Sequence, residues 1–307
     1  MSWSAADISS QRGRLAVVTG TGGLGFEEAL ALARAGASVV VAGRNAQKGQ
    51  EALTRIRHEV PGADIHFGQL DLASLASIKD FSDRMLTDGR SIDLLINNAG
   101  ISANPERGET QDGFELQLDT NYLGHFALTM RLMPLLLDAK PARVVSLSST
   151  AHKLGRINFD DLQSERSYSA ARAYAQSKLA MLMFALELDR RARASGLPLT
   201  SVAAHPGIAR TSLMENSQKG HPFLLFFSRS VMRLFGQPAR DGALPILRAA
   251  TDPTVKGGMF YGPSGFMEAR GSPVEASMSA RAKDEVVRRR LWEETGRLTG
   301  VDLPAGS

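Results

Sequence analysis

Residues 15–25 read Leu15-Ala-Val-Val-Thr-Gly-Thr-Gly-Gly-Leu-Gly25 and join a strand-forming run to a glycine-rich turn. A helical pattern follows and ends near Gly36. Gly20, Gly22 and Gly25 have the spacing G-x-G-x-x-G, in which glycines let the backbone approach a pyrophosphate and the helix N-terminus supplies N–H groups. Glycine clusters also form ordinary turns, but the strand–turn–helix order favours a dinucleotide-binding site.

Short apolar runs alternate with helical segments along the rest of the chain. An unbroken apolar run such as Ser38–Ala42 indicates a strand that is buried on both faces, as parallel sheets require. The alternation predicts a Rossmann-type doubly wound parallel sheet of about seven strands, in one α/β domain over residues 1–307. The predicted strands are Leu15–Thr19, Ser38–Gly43, Asp64–Leu70, Asp93–Asn97, Arg143–Ser148, Thr200–His205 and Gly258–Tyr261.

The amino-acid composition excludes or disfavours several classes of protein and of site. With 307 residues, 43% hydrophobic and 22% charged, the chain is typical of a globular protein and not of a disordered one. The absence of cysteine excludes disulfides, thiolate nucleophiles and iron–sulfur clusters. The net charge is +4, and the densest basic cluster, Arg288–Arg290, lies within Arg281–Arg297, where acidic residues interleave the basic ones. A solvated helix is therefore favoured over nucleic-acid binding. The six histidines lack metal-binding spacing, and we predict no metal site.

Location and assembly are predicted from apolar segments. Met1–Arg14 lacks the pattern of a signal peptide, and the apolar stretch Pro222–Phe227 is too short to span a membrane, so we expect a cytoplasmic protein without a transmembrane segment. Two predicted helices, Asn121–Leu137 and Ala173–Ala192, are apolar almost all round in their centres. A helix outside a sheet needs only one apolar stripe, so a partner subunit in a homodimer or homotetramer is expected to cover the second face.

The end of the second strand bears on cofactor choice. An acidic residue there would bind the ribose 2′-hydroxyl of NAD, but the sequence reads Ala42-Gly43-Arg44-Asn45. The Arg44 guanidinium suits a 2′-phosphate, so NADP is favoured and NAD stays an alternative. A solvated arginine after a strand is the other interpretation.

A tyrosine and a lysine suggest proton chemistry. Tyr174 and Lys178 are four residues apart on a predicted helix and share one face. A lysine cation there favours the phenolate and is expected to lower the pKa of the tyrosine, which can then exchange a proton with an alcohol or carbonyl oxygen. Tyr168 has Arg172 at the same spacing, but arginine stays charged. His152 and His205 are predicted to be packing or hydrogen-bonding residues, and the absence of G-x-S-x-G disfavours a serine hydrolase.

An ordered set of motifs resembles the short-chain dehydrogenase/reductase family. The spacer that contains Ala151–Gly155 is similar to that of the retinol-dehydrogenase-like branch. The motifs span residues 15–211 and are Thr19-Gly20 with the glycine turn, Leu70-Asp71-Leu72, Asn97-Asn98-Ala99-Gly100, Asn121, Ser148-Ser149, Tyr174-x-x-x-Lys178 and His205-Pro206-Gly207 with Thr211.

The resemblance implies a role for each motif residue. Tyr174 would be the general acid/base, Lys178 would lower its pKa and bind the nicotinamide ribose, and Ser149 would hold the substrate oxygen. Asn121 would support a proton relay through water, and Asp71 would contact adenine. The implied cofactor-binding residues are Gly20, Gly22, Gly23, Leu24, Gly25, Arg44, Asp71, Leu72, Asn98, Ala99, Gly100, Tyr174, Lys178 and, at the nicotinamide carboxamide, Pro206, Gly207, Ile208 and Thr211.

The glycine turn departs from the family pattern. The family turn T-G-x-x-x-G-x-G has one residue more than Thr19–Gly25. Gly20, Gly23 and Gly25 would then match the family glycines, and the missing position often helps to hold the adenosine phosphate. Alternatively, the shorter loop takes the G-x-G-x-x-G conformation of other dinucleotide-binding folds.

Residues 212–237 lie where the family places a helical substrate lid. Phe223–Phe227 and Val231–Phe235 suit the lining of a pocket for a lipophilic molecule, although a helix packed on the body or an interfacial segment would look similar. We therefore predict hydride transfer between NADP(H) and a lipophilic alcohol/carbonyl pair. The alternatives are a non-catalytic nucleotide-sensing or scaffold protein, and a lyase or epimerase that uses its cofactor transiently.

Overall fold

The fold is a single doubly wound α/β domain. The structure is a computed structural model and describes residues 2–102, 104–209 and 236–303. Its sheet has the strand order β3-β2-β1-β4-β5-β6-β7-β8, and all neighbours are parallel except β7 and β8. The strands are β1 Leu15–Thr19, β2 Ser38–Gly43, β3 Ile65–Gln69, β4 Leu94–Asn97, β5 Ala142–Leu147, β6 Leu199–Ala204, β7 Phe260–Pro263 and β8 Pro273–Glu275.

The predicted sheet is confirmed, with one strand more than the seven expected. The added strand, β8, has only three residues, and two of them are exposed. Such a short edge strand has no apolar periodicity, so the sequence does not reveal it. Strand order reverses between β1 and β4. In open α/β sheets ligands bind at such a switch point, outside the carboxyl ends of the strands.

Helices connect the strands and cover both faces of the sheet. Asn45 and Ser74 cap the second and third helices by accepting hydrogen bonds from Lys48 N and Ser77 N. The helices are α1 Leu24–Arg34, α2 Ala46–Glu59, α3 Leu75–Asp88, α4 Leu116–Leu118, α5 Gly124–Arg131, α6 Met133–Asp138, α7 Ala170–Ala194, α8 Ala239–Gly242, α9 Leu244–Thr251 and α10 Glu285–Thr299. No helix in these described ranges is long and apolar enough to cross a membrane.

The helix predicted over Asn121–Leu137 is broken in the structure. It comprises a π-helical turn, Asp119–Leu123, followed by α5 and α6. Pro134 stands in the first turn of α6, where a proline lacks the N–H that a continuous helix would use. Gly124 begins α5, and a Cβ there would lie 2.2 Å from the Leu72 carbonyl oxygen. Asn121 lies within the π-turn, and its side chain bonds to Ile101 in the loop after β4.

The C-terminal helix α10 covers the second apolar face of α5 and α7. The Trp292 ring lies 4.9 Å from that of Phe126 and 5.8 Å from that of Phe184, and the Tyr122 and Thr295 hydroxyls are 2.7 Å apart. The argument for a partner subunit on this face was therefore wrong. The all-round apolar character of α5 and α7 is explained by a helix of the same chain, which sequence periodicity could not assign to that face.

Candidate active site

Three glycines shape the turn between β1 and α1. Gly20 has φ +104°, and a Cβ there would lie 2.8 Å from the Asn98 amide nitrogen. Gly23 has φ +54°, and a Cβ at Gly25 would lie 2.4 Å from the Gly20 carbonyl oxygen. A Cβ at Gly22 would meet no atom within 4 Å. The structure thus requires glycine at the three positions that match the family, and leaves open space beside Gly22.

The turn fits a dinucleotide pyrophosphate. Gly23 precedes α1, and no side chain caps the helix there. The first-turn N–H groups of a helix have no intrahelical partner and attract anions. An uncapped helix start beside the open space at Gly22 is the arrangement that a phosphate-binding turn needs.

A buried hydrogen-bond network ties this turn to the loop after β4. Thr19 Oγ1 accepts the backbone N–H groups of Asn98 and Ala99, each at 2.9 Å, and Asn98 Nδ2 donates to Thr19 O. His125 Nδ1 faces the Asn121 carbonyl oxygen at 3.0 Å, so this nitrogen carries the proton and Nε2 accepts from Thr19. Burial lowers the pKa of His125 to about 4, and the ring stays neutral.

Tyr174, Ser149 and Lys178 meet at the carboxyl edge of the sheet. The long helix α7 carries Tyr174 and Lys178, while Ser149 follows β5 and caps the 3₁₀ turn Thr150–Lys153. The Tyr174 and Ser149 side chains share a hydrogen bond. Lys178 Nζ donates to the Leu147 carbonyl oxygen at 3.1 Å and lies 5.8 Å from the Tyr174 ring centre. The three predicted side chains are thus brought together.

The expected lowering of the tyrosine pKa does not appear in this structure. Burial raises the pKa of Tyr174 above its usual range, and the hydrogen bond with Ser149 offsets only part of this effect. Burial also lowers the pKa of Lys178 to about 8. Desolvation outweighs charge pairing here, because Lys178 Nζ is directed to a backbone carbonyl.

Asn121 holds the loop that follows the fourth strand. Its Oδ1 accepts from Ile101 N at 2.7 Å, and its Nδ2 donates to Ile101 O and Ser177 Oγ. A Cβ at Gly100 would lie 2.9 Å from Asn121 Oδ1 and 3.4 Å from Lys178 Nζ. The side chain therefore fixes this loop beside the lysine, and its role in a water relay stays a prediction.

The remaining cofactor candidates among the described residues follow strands of the same sheet. Arg44 is exposed at the end of β2, and its side chain has no ion pair within the described ranges. The Asp71 carboxylate accepts from Ala73 N at 3.0 Å and so shapes the loop after β3. Pro206–Ile208 follow β6, and Gln237 donates to Pro206 O and Ile208 O. Thr211 and residues 212–235 of the predicted lid lie outside the described residues.

Sequence reasoning missed two carboxylates. Glu28 in α1 is fully buried, and neither side-chain oxygen has a hydrogen-bond partner in the described part of the chain. Burial raises its pKa to about 8. Its spacing of four residues from both Leu24 and Leu32 could have indicated burial. Glu268, in the loop after β7, belongs to no motif, and only tertiary contacts reveal it.

The two histidines beside motifs make the contacts that were predicted for them. His152 Nδ1 donates to the Ser149 carbonyl oxygen at 2.7 Å, and the ring packs edge-on against Phe260. His205 Nδ1 accepts from Gly207 N, and its ring also packs against Phe260. Both rings are buried and serve packing and hydrogen bonding, as expected.

Comparison with known proteins agrees with this geometry. Residues 14–222 match the short chain dehydrogenase family model. Polyprenol dehydrogenase of Mus musculus is 40% identical over 303 residues, covering 96% of this chain and 86% of the relative. Retinol dehydrogenase 13 of Homo sapiens is 37% identical over 298 residues, covering 95% of this chain and 86% of the relative. A crystal structure of a putative uncharacterized protein from Mycobacterium Paratuberculosis has a TM-score of 0.82 at 38% identity and covers 99% of this chain and 100% of that one.

The chain belongs to the short-chain dehydrogenase/reductase family, and it is an oxidoreductase acting on CH–OH or C=O groups. Within that family it falls in the retinol-dehydrogenase-like branch. These relatives do not favour the non-catalytic alternative.

Proposed function

We propose that this protein transfers a hydride between NADP(H) and a lipophilic alcohol/carbonyl pair, with Tyr174 as the general acid/base. The observation that carries the proposal is the cluster of Tyr174, Ser149 and Lys178 at the carboxyl edge of the sheet. A hydroxyl pair next to an ammonium group suits a reaction in which an oxygen gains or loses a proton.

NADP is favoured by the charge at the end of β2. Arg44 is an exposed cation next to the glycine turn, and no acidic residue stands there to bind a ribose 2′-hydroxyl. A guanidinium suits the 2′-phosphate that distinguishes NADP from NAD. When bound, the nicotinamide supplies the hydride chemistry, and the chain's own residues supply placement and proton handling.

The proton is handled by three side chains. Tyr174, whose pKa is raised, keeps its proton at neutral pH, and this is the state that can protonate a reduced carbonyl oxygen. Ser149 shares a hydrogen bond with the phenol and can donate to the same substrate oxygen. With a pKa of about 8, Lys178 is largely charged at neutral pH and favours the tyrosinate that remains after proton transfer.

The substrate class rests on relatives and on composition. Two similar proteins are named for polyprenol and retinol, which are lipophilic alcohols. The apolar residues within 212–237, predicted to form a lid, suit such a substrate. The lid and the cytoplasmic location stay predictions.

The test is turnover by the purified protein. We expect the protein to oxidise NADPH in the presence of lipophilic aldehydes and ketones, and to do so faster than it oxidises NADH. The absorbance of the reduced nicotinamide measures both rates. Cofactor binding in calorimetry without turnover on any substrate of the panel would contradict the proposal and favour a sensing or scaffold role. Product formation without any change in nicotinamide absorbance would favour a lyase or epimerase.

A further inference from the structure

The segment that follows β7 contacts both sides of the candidate active site. We call residues 265–279 the C-terminal clamp. They lie beyond the last motif, Thr211, and outside the matched family region, residues 14–222. Their contacts reach the stretch after β6, where nicotinamide is expected, and the 3₁₀ turn after Ser149, where substrate is expected.

Glu268 is the centre of the clamp. Its Oε2 lies 3.0 Å from Lys153 Nζ and 3.2 Å from His205 Nε2. Its Oε1 accepts from the Ser277 hydroxyl at 2.7 Å and from the Ser277 backbone N–H at 3.3 Å. The His205 contact, together with Ser277 and Lys153, holds the pKa of Glu268 well below its usual range. The carboxylate is therefore charged at every pH at which the enzyme is expected to work.

One group of contacts positions the stretch after β6. His205 Nδ1 accepts from Gly207 N, and the other ring nitrogen, Nε2, lies 3.2 Å from Glu268 Oε2. Ile208 N donates to Ala269 O at 2.8 Å, and a Cβ at Gly207 would lie 2.4 Å from the same oxygen. The clamp therefore fixes the backbone of residues 205–208.

A second group positions the turn after Ser149. Lys153, which ends this turn, pairs with Glu268. His152 Nδ1 donates to the Ser149 carbonyl oxygen, and Ser279 N donates to His152 Nε2 at 3.3 Å. The turn that carries Ser149 is thus held at two points by the same segment.

The clamp adopts a backbone conformation that is costly for side-chain-bearing residues. Met267 has φ +52° and Glu268 has φ +56°, in the left-handed region that favours glycine. Such strain persists where surrounding contacts determine it, and it is concentrated at functional sites. Here the four contacts of the Glu268 carboxylate supply that constraint.

We propose that Glu268 is a positioning residue that holds Ser149 in register with the nicotinamide-binding stretch 205–208. It would act through its contacts with Lys153 and His205. The inference rests on the proposed function. The relative position of Ser149 and residues 205–208 matters only if hydride and proton transfer occur between the groups that they hold.

The kinetic test compares Glu268→Ala with Glu268→Gln. We expect Glu268→Ala to lower kcat by at least roughly tenfold, because small misplacements of reacting groups cost about 10- to 100-fold in rate. NADPH affinity in calorimetry should change by less than about threefold, since the glycine turn is untouched. Glu268→Gln keeps an oxygen for Ser277 and should recover part of the rate. The control Glu275→Ala removes an exposed carboxylate from β8 and should behave as wild type.

An activity-independent readout separates this inference from the proposed function. Two backbone amides report on the held stretches: Ile208 N, which donates to Ala269 O, and Leu154 N, which donates to Ala151 O at the end of the 3₁₀ turn. In hydrogen–deuterium exchange, Glu268→Ala should speed exchange at both amides, and Glu275→Ala should not. Unchanged exchange at both amides, or wild-type kcat in a folded Glu268→Ala protein, overturns the positioning role. If Glu268→Ala lowers cofactor affinity and melting temperature together with kcat, the role of Glu268 is merely structural. Absence of turnover in wild type, with faster exchange in the variant, instead refutes the proposed function alone.

Discussion

Two regions of this chain contribute to one site in different ways. Residues 15–209 carry the glycine turn, Asn121, Ser149, Tyr174 and Lys178, and the roles proposed for them follow from local patterns. Residues 236–303 carry no motif, yet they contribute the Glu268 clamp and the helix α10 that covers α5 and α7. The difference teaches that short-range motifs mark the proposed chemical groups, while the C-terminal region contacts the elements that carry them only through tertiary packing.

The largest expected effect belongs to the motif region. Tyr174→Phe removes the proposed proton donor and should lower kcat by about 100- to 10,000-fold, the usual contribution of general acid–base catalysis. NADPH affinity should stay near wild type. Tyr168→Phe is the matched control, because that hydroxyl donates to the Asn104 carbonyl oxygen away from Ser149. Steady-state rates and calorimetry check both variants, and an active Tyr174→Phe enzyme would refute the assignment.

In the C-terminal region the largest effect concerns stability. Trp292→Ala removes a buried ring that packs on Phe126 and Phe184 and should cost about 3–5 kcal/mol of unfolding free energy. The control Val286→Ala lies on the same helix at 69% exposure and should change little. Urea unfolding measures both.

The packing of α10 on α5 and α7 also predicts the oligomeric state. Since α10 already covers the apolar face, wild-type protein should sediment as a monomer at micromolar concentration. A wild-type dimer that dissociates in Trp292→Ala would mean that this face binds a second copy.

A buried acid within the motif region should make stability depend on pH. Folded Glu28 keeps its proton up to pH about 8, whereas in the unfolded chain it loses the proton near 4.5. The folded state therefore binds more protons between these values, and the free energy of unfolding falls as pH rises through that window. Glu28→Gln should raise stability by on the order of a few kcal/mol at pH 8.5 and far less at pH 5.

Melting curves at the two pH values measure this effect. The exposed Glu51→Gln in α2 serves as the control and should show no pH-dependent gain. A Glu28→Gln protein that gains nothing at high pH would contradict the protonated, buried state.

The smallest effect concerns cofactor choice. Arg44→Ala should weaken NADPH binding by roughly tenfold and leave NADH binding unchanged, because only NADPH has a phosphate for the guanidinium. Lys48→Ala, an exposed cation on α2, is the control. Equal losses for both cofactors would argue against a 2′-phosphate contact.

The parts that the sequence predicted are those encoded by short-range patterns. β1 and β2 have the predicted bounds, and the glycine turn lies between β1 and α1 as expected. Each depends on neighbouring residues alone, through strand periodicity or a glycine with positive φ.

The parts that were missed depend on distant contacts. Gly124, directly after the π-turn, lies against the Leu72 carbonyl oxygen, α10 docks through Trp292, and Glu268 joins three separate segments. The raised pKa of Tyr174 belongs here too, because burial cannot be read from the Tyr174–Lys178 spacing alone.

Isotope transfer tests the central claim most directly. NADPH labelled with deuterium on each face of C4 in turn would be incubated with a carbonyl substrate, and the alcohol product analysed by mass spectrometry. The account predicts one deuterium in the product from one of the two labelled cofactors, and almost none when Tyr174→Phe is used. Alcohol formed by the wild-type protein without deuterium from either cofactor would contradict it.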